Sequence, residues 1–294
     1  MSAYPQSVSR PPRIAVAGST GRVGSALTAS LAGTPTQVLA LTRNPDAARL
    51  PPGTTAVGID FKQLSSLERA LDGVDRLFIA HGSSPRQPEN EIALIDAAVA
   101  AGVQHIVKLS SLGPPSRLHP GDWHMRIEAH LATKDVGYTV LRPSAFNDIL
   151  ARAGSAVADD SWGGAAGNGR TNFIDTRDVA DVARVALLDD LGANAQRAYH
   201  LTGPRAWTMQ EIADELSRLL GRPVSYAERT PAQQRAALIE SGLNDFAADL
   251  LLGLDRFFRD SALAETTATV EQLTGHAPRP LTQWLADNIN LFRR

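Results

Sequence analysis

Residues 13–24 read Arg13-Ile-Ala-Val-Ala-Gly18-Ser-Thr-Gly21-Arg-Val-Gly24, and this stretch decides the fold. The apolar residues 14–17 end at Gly18, and residues 25–31 have the composition of a helix. A strand, a turn with three glycines and a helix, in this order, are typical of the first unit of a doubly wound sheet that binds a dinucleotide. Gly18 permits the turn, Gly21 lets a pyrophosphate approach the backbone, and Gly24 lets the helix pack closely.

The phosphates of such a dinucleotide would lie at the N-terminus of the helix, where free N–H groups and the helix dipole favour anions. The alternative is a glycine turn that holds no ligand. The residues of this loop that we predict to contact the cofactor are Gly18, Ser19, Thr20, Gly21, Arg22, Val23 and Gly24.

Composition describes an ordinary globular protein. The chain has 294 residues, of which 43% are hydrophobic and 20% charged, and its net charge of −2 implies no broad basic surface for nucleic acid. It contains no cysteine, which excludes disulfides, a cysteine nucleophile and thiolate metal sites. We see neither a signal peptide nor an apolar run long enough for a membrane span, and we expect a cytoplasmic protein. Residues 1–12 are polar and are expected to form a flexible tail.

Short apolar runs alternate with helical stretches up to Pro143, which predicts an α/β fold: a doubly wound parallel sheet of Rossmann type. We assign residues 13–150 to the nucleotide-binding domain and expect residues 173–202 to return to its sheet. Residues 151–172 are rich in Gly, Ala, Ser and Asp and are interpreted as a loop or a short hairpin. Together with residues 203–294 they should form a smaller, mostly helical substrate lobe without a sheet of its own, and the substrate cleft should lie between the two parts.

The end of the second strand indicates which cofactor is preferred. In this fold an acidic residue about 20 positions after the glycines binds the adenosine ribose, whereas an arginine there favours the 2′-phosphate of NADP. Arg43 occupies that place, and Arg22 is a second candidate cation, so we predict NADP. Arg43 as a plain solvated charge is the alternative. Asp60 is expected to accept a hydrogen bond from the adenine amino group, to cap the helix of residues 62–71, or both.

Further cofactor contacts are expected where the later strands end, since ligands bind at the carboxyl ends of parallel strands. Aromatic residues after residue 150 are candidates for an apolar pocket or for the core: Trp162, Phe173, Phe257 and Phe258. The remaining predicted cofactor contacts are Phe61, Ala80, His81, Gly82, Ser110, Pro143 and Phe146, of which Pro143 and Phe146 should wall the nicotinamide.

Several motifs, in this order, resemble the NmrA-like branch of the atypical short-chain dehydrogenases. They are Gly18-Ser-Thr-Gly-Arg-Val-Gly24, Thr42-Arg-Asn-Pro45, Val107-Lys-Leu-Ser-Ser-Leu112, Tyr138-Thr-Val-Leu-Arg-Pro143, Asp175-Thr-Arg-Asp178-Val-Ala and the stretch from Val270 to Pro280. The resemblance covers residue 13 to the end of the chain. It implies NADP binding, in a family that contains NADPH-dependent reductases of quinones, dyes and flavonoid-type compounds, and also regulators that bind NADP and reduce nothing.

The proton-transfer pair of ordinary short-chain dehydrogenases, Tyr-x-x-x-Lys on a helix, is absent. The chain has three lysines, and the residues four positions before Lys62, Lys108 and Lys134 are a glycine, a glutamine and a histidine. This counts against ordinary alcohol–ketone chemistry, because that reaction needs a tyrosine with a lowered pKa.

The helix expected in that place carries His124 and Glu128, one turn apart and therefore on one face. The spacing resembles the NmrA-like pattern and implies that His124 lies near the nicotinamide, where it would donate a proton or hold the ribose. A surface histidine paired with Glu128 is the alternative. Ser110 and Ser111 end the fifth strand and are candidates to contact ribose or a substrate carbonyl, or only to cap the strand end.

Two other histidine arrangements favour structural interpretations. His130 and Lys134 stand one turn apart and are interpreted as a solvated face. His119, His124 and His130 do not have a recognised ligand spacing, and we predict no metal site.

The sequence leaves three functions open. The first is an NADPH-dependent reductase of a quinone-like or conjugated small molecule, because such an acceptor stabilises the charge it gains and needs only a weak acid. The second is a sensor that binds NADP and acts through a protein partner, and the third is a redox-neutral isomerase or epimerase. We expect a small aromatic or conjugated substrate, no direct nucleic-acid partner and no membrane association.

Overall fold

A computed structural model describes residues 10–113, 121–189 and 195–293. Residues 1–9 of the expected tail lie outside this range, as does His119. The strands of the described part are β1 (Arg13–Ala17), β2 (Gln37–Thr42), β3 (Thr54–Gly58), β4 (Arg76–Ile79), β5 (His105–Leu109), β6 (Gly137–Pro143), β7 (Ala145–Phe146), β8 (Gly163–Gly164), β9 (Thr171–Ile174), β10 (Gln196–Leu201), β11 (Ala206–Trp207) and β12 (Ala227–Glu228).

The helices connect these strands and fill most of the second half of the described chain. Two 3₁₀ helices accompany them, at Asn147–Ala153 and Ile289–Phe292. The α-helices are α1 (Arg22–Ala32), α2 (Leu64–Leu71), α3 (Gln87–Ala100), α4 (Gly121–Leu131), α5 (Gly154–Ala158), α6 (Thr176–Leu188), α7 (Met209–Leu220), α8 (Pro231–Glu240), α9 (Asp245–Arg259), α10 (Thr269–Thr274) and α11 (Leu281–Asp287).

Seven strands form one parallel sheet in the order β3-β2-β1-β4-β5-β6-β10, which confirms the predicted doubly wound fold. The central strand β1 is covered on both faces, and Ile14, Ala15 and Val16 are all fully buried. The strand order reverses between β1 and β4. Ligands of such sheets bind in the crevice outside this reversal, which lies next to the glycine loop.

Helices cover both faces of the sheet. Leu67 of α2, Ile95 of α3 and Ile127 of α4 belong to the core on one face. Leu27 of α1 and Val182 of α6 belong to the core on the other. The carboxyl ends of the strands remain uncovered by these layers, and the site is built there.

The predicted lobe is wrong in two details. Residues 151–172 are not a hairpin: they contain α5 and β8 and continue into β9, and β8 pairs in parallel with the distant β12. A Cβ on Gly163 would stand 2.4 Å from the carbonyl oxygen of Ala227. This glycine therefore allows β8 and β12 to approach closely and does not mark a loose loop. The expectation that the lobe has no sheet of its own is also wrong, because β12 and β8 form a two-stranded sheet within it. A further small sheet, in the order β11-β9-β7, includes β7 from the end of the predicted nucleotide-binding domain.

Two of the motifs quoted above bind one another. Asp178 of α6 is fully buried and accepts a hydrogen bond from the backbone N–H of Arg279 at 2.8 Å. The Arg279 guanidinium also bonds to Asp178 and, at 2.9 Å, to Asp181. His276 approaches the same carboxylates closely enough to share a cation with them, but Arg279 already compensates their charge. The C-terminal segment is thereby fixed to the nucleotide-binding sheet through α6.

None of the helices within residues 10–113, 121–189 and 195–293 combines the length and apolar character needed to cross a lipid bilayer.

His105 makes the stability of the fold depend on pH. Its ring is 5% exposed, its Nε2 lies 2.9 Å from Thr139 Oγ1, and burial, together with Arg76 and Arg197, lowers the pKa of His105 to about 4. Between pH about 6.5 and about 4 the unfolded chain therefore binds a proton that the folded protein does not, so stability falls as the pH falls.

Between pH about 6.5 and about 4, this proton binding lowers the unfolding free energy by up to about 3 kcal/mol. We expect this decrease to be absent in His105→Gln, as measured by urea denaturation at several pH values. Thr139→Val, which keeps the buried ring, should keep the pH dependence. An unchanged slope in His105→Gln would contradict this origin.

Candidate active site

The glycine loop has the backbone expected for a phosphate site. Gly18 has φ +81°, and its carbonyl oxygen accepts a hydrogen bond from the N–H of Gly21 at 2.9 Å. Gly21 precedes α1 without any side-chain cap on the helix. The first N–H groups of α1 have no partner within the helix, so they are available to an anion. The residues present therefore fit a dinucleotide phosphate at this place.

The loop is also packed too tightly for side chains. A Cβ on Gly24 would lie 2.1 Å from the carbonyl oxygen of Gly18. A Cβ on Gly18 would lie 2.5 Å from the carbonyl oxygen of Ala80, at the end of β4. The start of α1 is thus held against the end of β1, and the loop against the end of β4.

Two of the predicted loop contacts have side chains that point elsewhere. Val23 is 4% exposed and belongs to the core, so only its backbone is at the helix N-terminus. Ser19 is 1% exposed, and its hydroxyl donates to the carbonyl oxygen of Leu41 at 3.3 Å. The Ser19 side chain therefore ties the loop to β2, and the predicted contact of Ser19 with the cofactor stays a prediction that would involve its backbone.

Arg43 lies exposed just beyond β2 and forms no hydrogen bond or ion pair with another residue in the part of the chain that the structure describes. Asp60 has a different local role from the predicted cap. Its Oδ1 accepts from the N–H of Lys62 at 2.9 Å, whereas α2 begins only at Leu64, with Gln63 at its N-cap. The capping alternative is therefore wrong: Asp60 closes the turn before the helix.

A large cavity, of about 1020 Å³, begins near the glycine loop and extends along the strand ends to the C-terminal helices. Its walls include apolar side chains of α9, namely Leu250, Leu254 and Phe257. Seven of the residues predicted for the site line it: Arg22, His81, Ser110, Ser111, His124, Pro143 and Phe146. Of the four candidate pocket aromatics, Phe257 lines the cavity, whereas Trp162, Phe173 and Phe258 are buried in the core.

His81 is held in one orientation at the cavity wall. Its Nδ1 lies 2.6 Å from the carbonyl oxygen of Gly82 and its Nε2 lies 2.9 Å from the side-chain amide nitrogen of Asn90. A carbonyl can only accept and an amide N–H can only donate, so the ring is the Nδ1–H tautomer. Phe61 packs edge-on against it, with ring centroids 5.6 Å apart.

Ser110 and Glu128 form a polar cluster with Arg142 of β6. The Ser110 hydroxyl donates to Glu128, and the Arg142 guanidinium donates to both carboxylate oxygens, at 3.3 and 2.5 Å. Glu128 thus pairs with Arg142 and not with His124, so that alternative for His124 is wrong. Ser110 is also committed to this cluster in the structure, and Ser111 is the strand-end serine whose side chain faces the cavity more openly.

His124 has an unexpected neighbour. Its Nδ1 lies 3.2 Å from Nζ of Lys108. Burial first, and then the positive charge of Lys108, lower the pKa of His124 well below its usual value of about 6.5. The imidazole is therefore neutral near pH 7 and does not act as a pre-formed imidazolium acid.

Sequence reasoning missed Lys108 and its counter-ion Glu91. Lys108 is fully buried in β5, and its Nζ lies 2.9 Å from Oε2 of Glu91 on α3. The available signal was a lysine inside the apolar run of residues 105–109, since a lysine is almost never fully buried unless it is paired. The partner on α3 could not be identified, because no local spacing links the two.

His130 and Lys134 do not line the cavity. His130 Nε2 and Lys134 Nζ both contact Asp96 of α3, at 2.8 and 2.7 Å, so the predicted solvated face is an ion-paired contact between α3 and the end of α4. His124 and His130 thus face different partners, and the structure does not bring them together.

Comparisons with known proteins identify relatives along nearly the whole chain. The model of an NAD(P)H-binding family matches residues 18–190. The chain is 32% identical to quinone oxidoreductase 2 of Escherichia coli strain K12 over 286 residues, covering 95% of this chain and 99% of that one. It is 30% identical to the NAD(P)H azoreductase of Xenophilus azovorans over 276 residues, covering 92% and 96%. The crystal structure of the E. coli NADPH-dependent quinone oxidoreductase with NADPH superposes with a TM-score of 0.84, at 30% identity, over 94% of this chain and 100% of that one.

Gly24→Ala tests the close approach of α1 to the loop. We expect it to lower the unfolding free energy by about 1–3 kcal/mol and to weaken NADPH binding, because the loop or the helix must shift to admit the methyl group. Urea unfolding and a fluorescence titration measure the two effects. Gly33→Ala at the end of α1, where a Cβ meets nothing within 4 Å, is the matched control. Equal behaviour of the two variants would contradict the packing argument.

Proposed function

This chain belongs to the NAD(P)H-binding family, and on that premise we propose that it is an NADPH-dependent reductase that transfers hydride to a quinone-like or conjugated small molecule. The observation that carries this proposal is the continuity of the cavity. It joins the surroundings of the glycine loop, where Arg22 lies, to an apolar wall contributed by α9. A cofactor held at one end and a flat acceptor at the other would meet between them.

Two arginines near the proposed position of the cofactor's adenosine support a preference for NADPH. Arg43 is exposed and unpaired among the described residues, and Arg22 is 59% exposed, with only a 3.5 Å contact to Asp148. Guanidinium groups bind phosphates strongly because their donors match phosphate geometry. We propose that both residues contact the 2′-phosphate or the neighbouring phosphates.

The acceptor class follows from the opposite wall. Leu250, Leu254 and Phe257 of α9 line the cavity together with Ile149 and Met125, and all five are uncharged. Such a wall favours a flat apolar acceptor over a sugar or an amino acid. The names of the E. coli and Xenophilus relatives, a quinone oxidoreductase and an azoreductase, agree with acceptors of this kind.

The protein's part in the reaction is positioning and electrostatics, since the cofactor supplies the hydride. We propose that the backbone of residues 18–24 holds the pyrophosphate and that His81, Pro143 and Phe146 position the ribose and nicotinamide. Ser111 and the Nε2–H of His124 would then donate hydrogen bonds to the acceptor oxygen that gains charge. Ser110 would act through Glu128, which it already binds.

We also propose a cytoplasmic location. A chain with no cysteine is compatible with a reducing compartment.

The function is tested with purified protein, NADPH and a panel of quinones, azo dyes and enones, followed at the absorbance of the reduced nicotinamide. Oxidation by at least one acceptor, with a clear preference for NADPH over NADH, supports the proposal. Selective, tight binding without oxidation by any acceptor would contradict it and would favour the NADP-binding sensor. Conversion of an acceptor without net oxidation of NADPH would favour the isomerase.

Arg43→Ala tests the choice of cofactor. We expect it to weaken NADPH binding roughly tenfold or more and to leave NADH binding nearly unchanged, because only NADPH carries the 2′-phosphate. Fluorescence titrations of the two cofactors measure this difference. Arg69→Ala on the exposed side of α2 removes an equal charge elsewhere and serves as the control. Equal losses for NADPH and NADH would reject the assignment of Arg43.

His124→Gln tests the proposed donor. We expect the turnover number to fall about a hundredfold, with the dissociation constant of NADPH unchanged, because the residue contacts the acceptor and not the cofactor phosphates. Steady-state kinetics and cofactor titration separate the two. Turnover at the rate of the unaltered protein would return His124 to a structural role.

A further inference from the structure

Lys108 is a buried cation behind His124, a residue that lines the cavity. Its side chain is fully inaccessible, and its ammonium group donates to the carbonyl oxygen of Leu109 and lies 2.9 Å from Oε2 of Glu91. Glu91 is 1% exposed, and its other oxygen accepts from Nε2 of Gln87 at 2.9 Å. A buried ion pair contributes little stability compared with well-packed apolar side chains, so stability alone does not account for it.

The third contact of this ammonium group is Nδ1 of His124, at 3.2 Å. An ammonium group has three donors and no acceptor, so Nδ1 of the imidazole must accept. In the neutral ring the proton is then on Nε2. The buried lysine thus selects one tautomer of a residue that lines the cavity.

A neutral imidazole is a very weak acid by itself. It gives up its Nε2 proton readily only when its other nitrogen receives a proton at the same time. Lys108 is in hydrogen-bond distance of that nitrogen, and its three contacts, Glu91, Leu109 and His124, are all acceptors. Lys108 is therefore a proton source placed behind the donor His124, and Glu91 stabilises the positive charge of Lys108.

We propose that Lys108 is a positioning residue that acts through His124: it fixes the Nε2–H tautomer and supplies the proton that His124 passes to the reduced acceptor. The inference rests on the proposed reductase function and extends it, since it assigns the role that the missing Tyr-x-x-x-Lys pair plays elsewhere. It also explains why a buried lysine stands near the carboxyl end of β5.

A quinone acceptor would gain two electrons and one hydrogen as hydride from NADPH, which would leave as NADP⁺. Its oxygen gains a proton from Nε2 of His124 while Nδ1 takes a proton from Nζ of Lys108. Lys108 is then neutral, and a proton from solvent restores it by the reverse route through His124. The second quinone oxygen becomes a hydroxyl by proton shift within the product.

The charges around His124 define what a pH measurement will report. Lys108 of β5 and Glu91 of α3 are the groups described above. Glu128, on the same helix, is neutralised by Arg142. Among the described residues, ion pairs that join α3 to α4 or to the residues after it include those of Glu89 with Arg126, and of Asp96 with His130 and Lys134.

The test begins with the protein free of cofactor, by ¹⁵N-histidine NMR, with the signal of His124 assigned by its loss in His124→Gln. We expect the Nε2–H tautomer over the accessible range around pH 7. Lys108→Met alone would leave Glu91 unpaired, so the informative variant is Lys108→Met with Glu91→Gln, which removes both charges. In this double variant we expect the pKa of His124 to rise by about one unit, because the adjacent like charge is gone.

The matched control is Lys134→Met with Asp96→Asn, which also removes a lysine–carboxylate ion pair of α3, in this case with a residue that follows α4. It should leave the tautomer and the pKa of His124 unchanged. An Nδ1–H tautomer in the unaltered protein, or an identical pKa of His124 in the Lys108 double variant, would overturn the proposal. These readouts need neither cofactor nor acceptor, so a failed reductase assay and a failed Lys108 proposal remain distinguishable.

Kinetic measurements then distinguish a positioning role of Lys108 from a purely structural one. With an acceptor identified by the panel, the Lys108 double variant should lose about a hundredfold in turnover number, keep its affinity for NADPH, and show a pH profile shifted in the direction of the raised pKa of His124. The control should match the unaltered protein. Unchanged turnover and an unchanged pH profile in a folded Lys108 double variant would reject the relay.

Discussion

The site depends on one close approach of backbone to backbone. The start of α1 lies so near the carbonyl oxygen of Gly18 that no Cβ fits at Gly24, and the same loop touches the end of β4 at Ala80. These contacts place the free N–H groups of a helix at the carboxyl edge of a parallel sheet, where its strand order reverses. The cavity beside this point is bounded by residues at the ends of the later strands and by side chains of α9.

Electrostatics around His124 follow from burial. His124 is neutral, Glu128 is bound by Arg142, and Lys108 is bound by Glu91, so the ionised residues there are compensated in pairs. Lys108 and Glu91 are shielded from water, and charges in such surroundings act strongly on their neighbours. An acceptor that delocalises its added electrons suits such a site, since it needs a positioned donor more than a strong acid.

The fold could be predicted from the sequence because its signals are local. The glycine loop is set by a few neighbouring residues, and so is each of the apolar runs and helical stretches that alternate after it. The pairing of β8 with β12 could not be predicted, because Gly163 signals a close approach without naming its partner. The Lys108–Glu91 pair could not be predicted for the same reason, because the two residues meet only once α3 is packed on the sheet.

The central claim is that hydride passes directly from NADPH to a conjugated acceptor in this cavity, and isotope transfer tests it most directly. The protein is incubated with an enone and with NADPH that carries deuterium at one or the other of its two C4 positions, in separate reactions. The product is examined by mass spectrometry and NMR. The account predicts one deuterium on the carbon β to the carbonyl, and a proton from water at the other position. A product without deuterium from either C4 position, or an enone left unreduced together with every other acceptor tested, would contradict it.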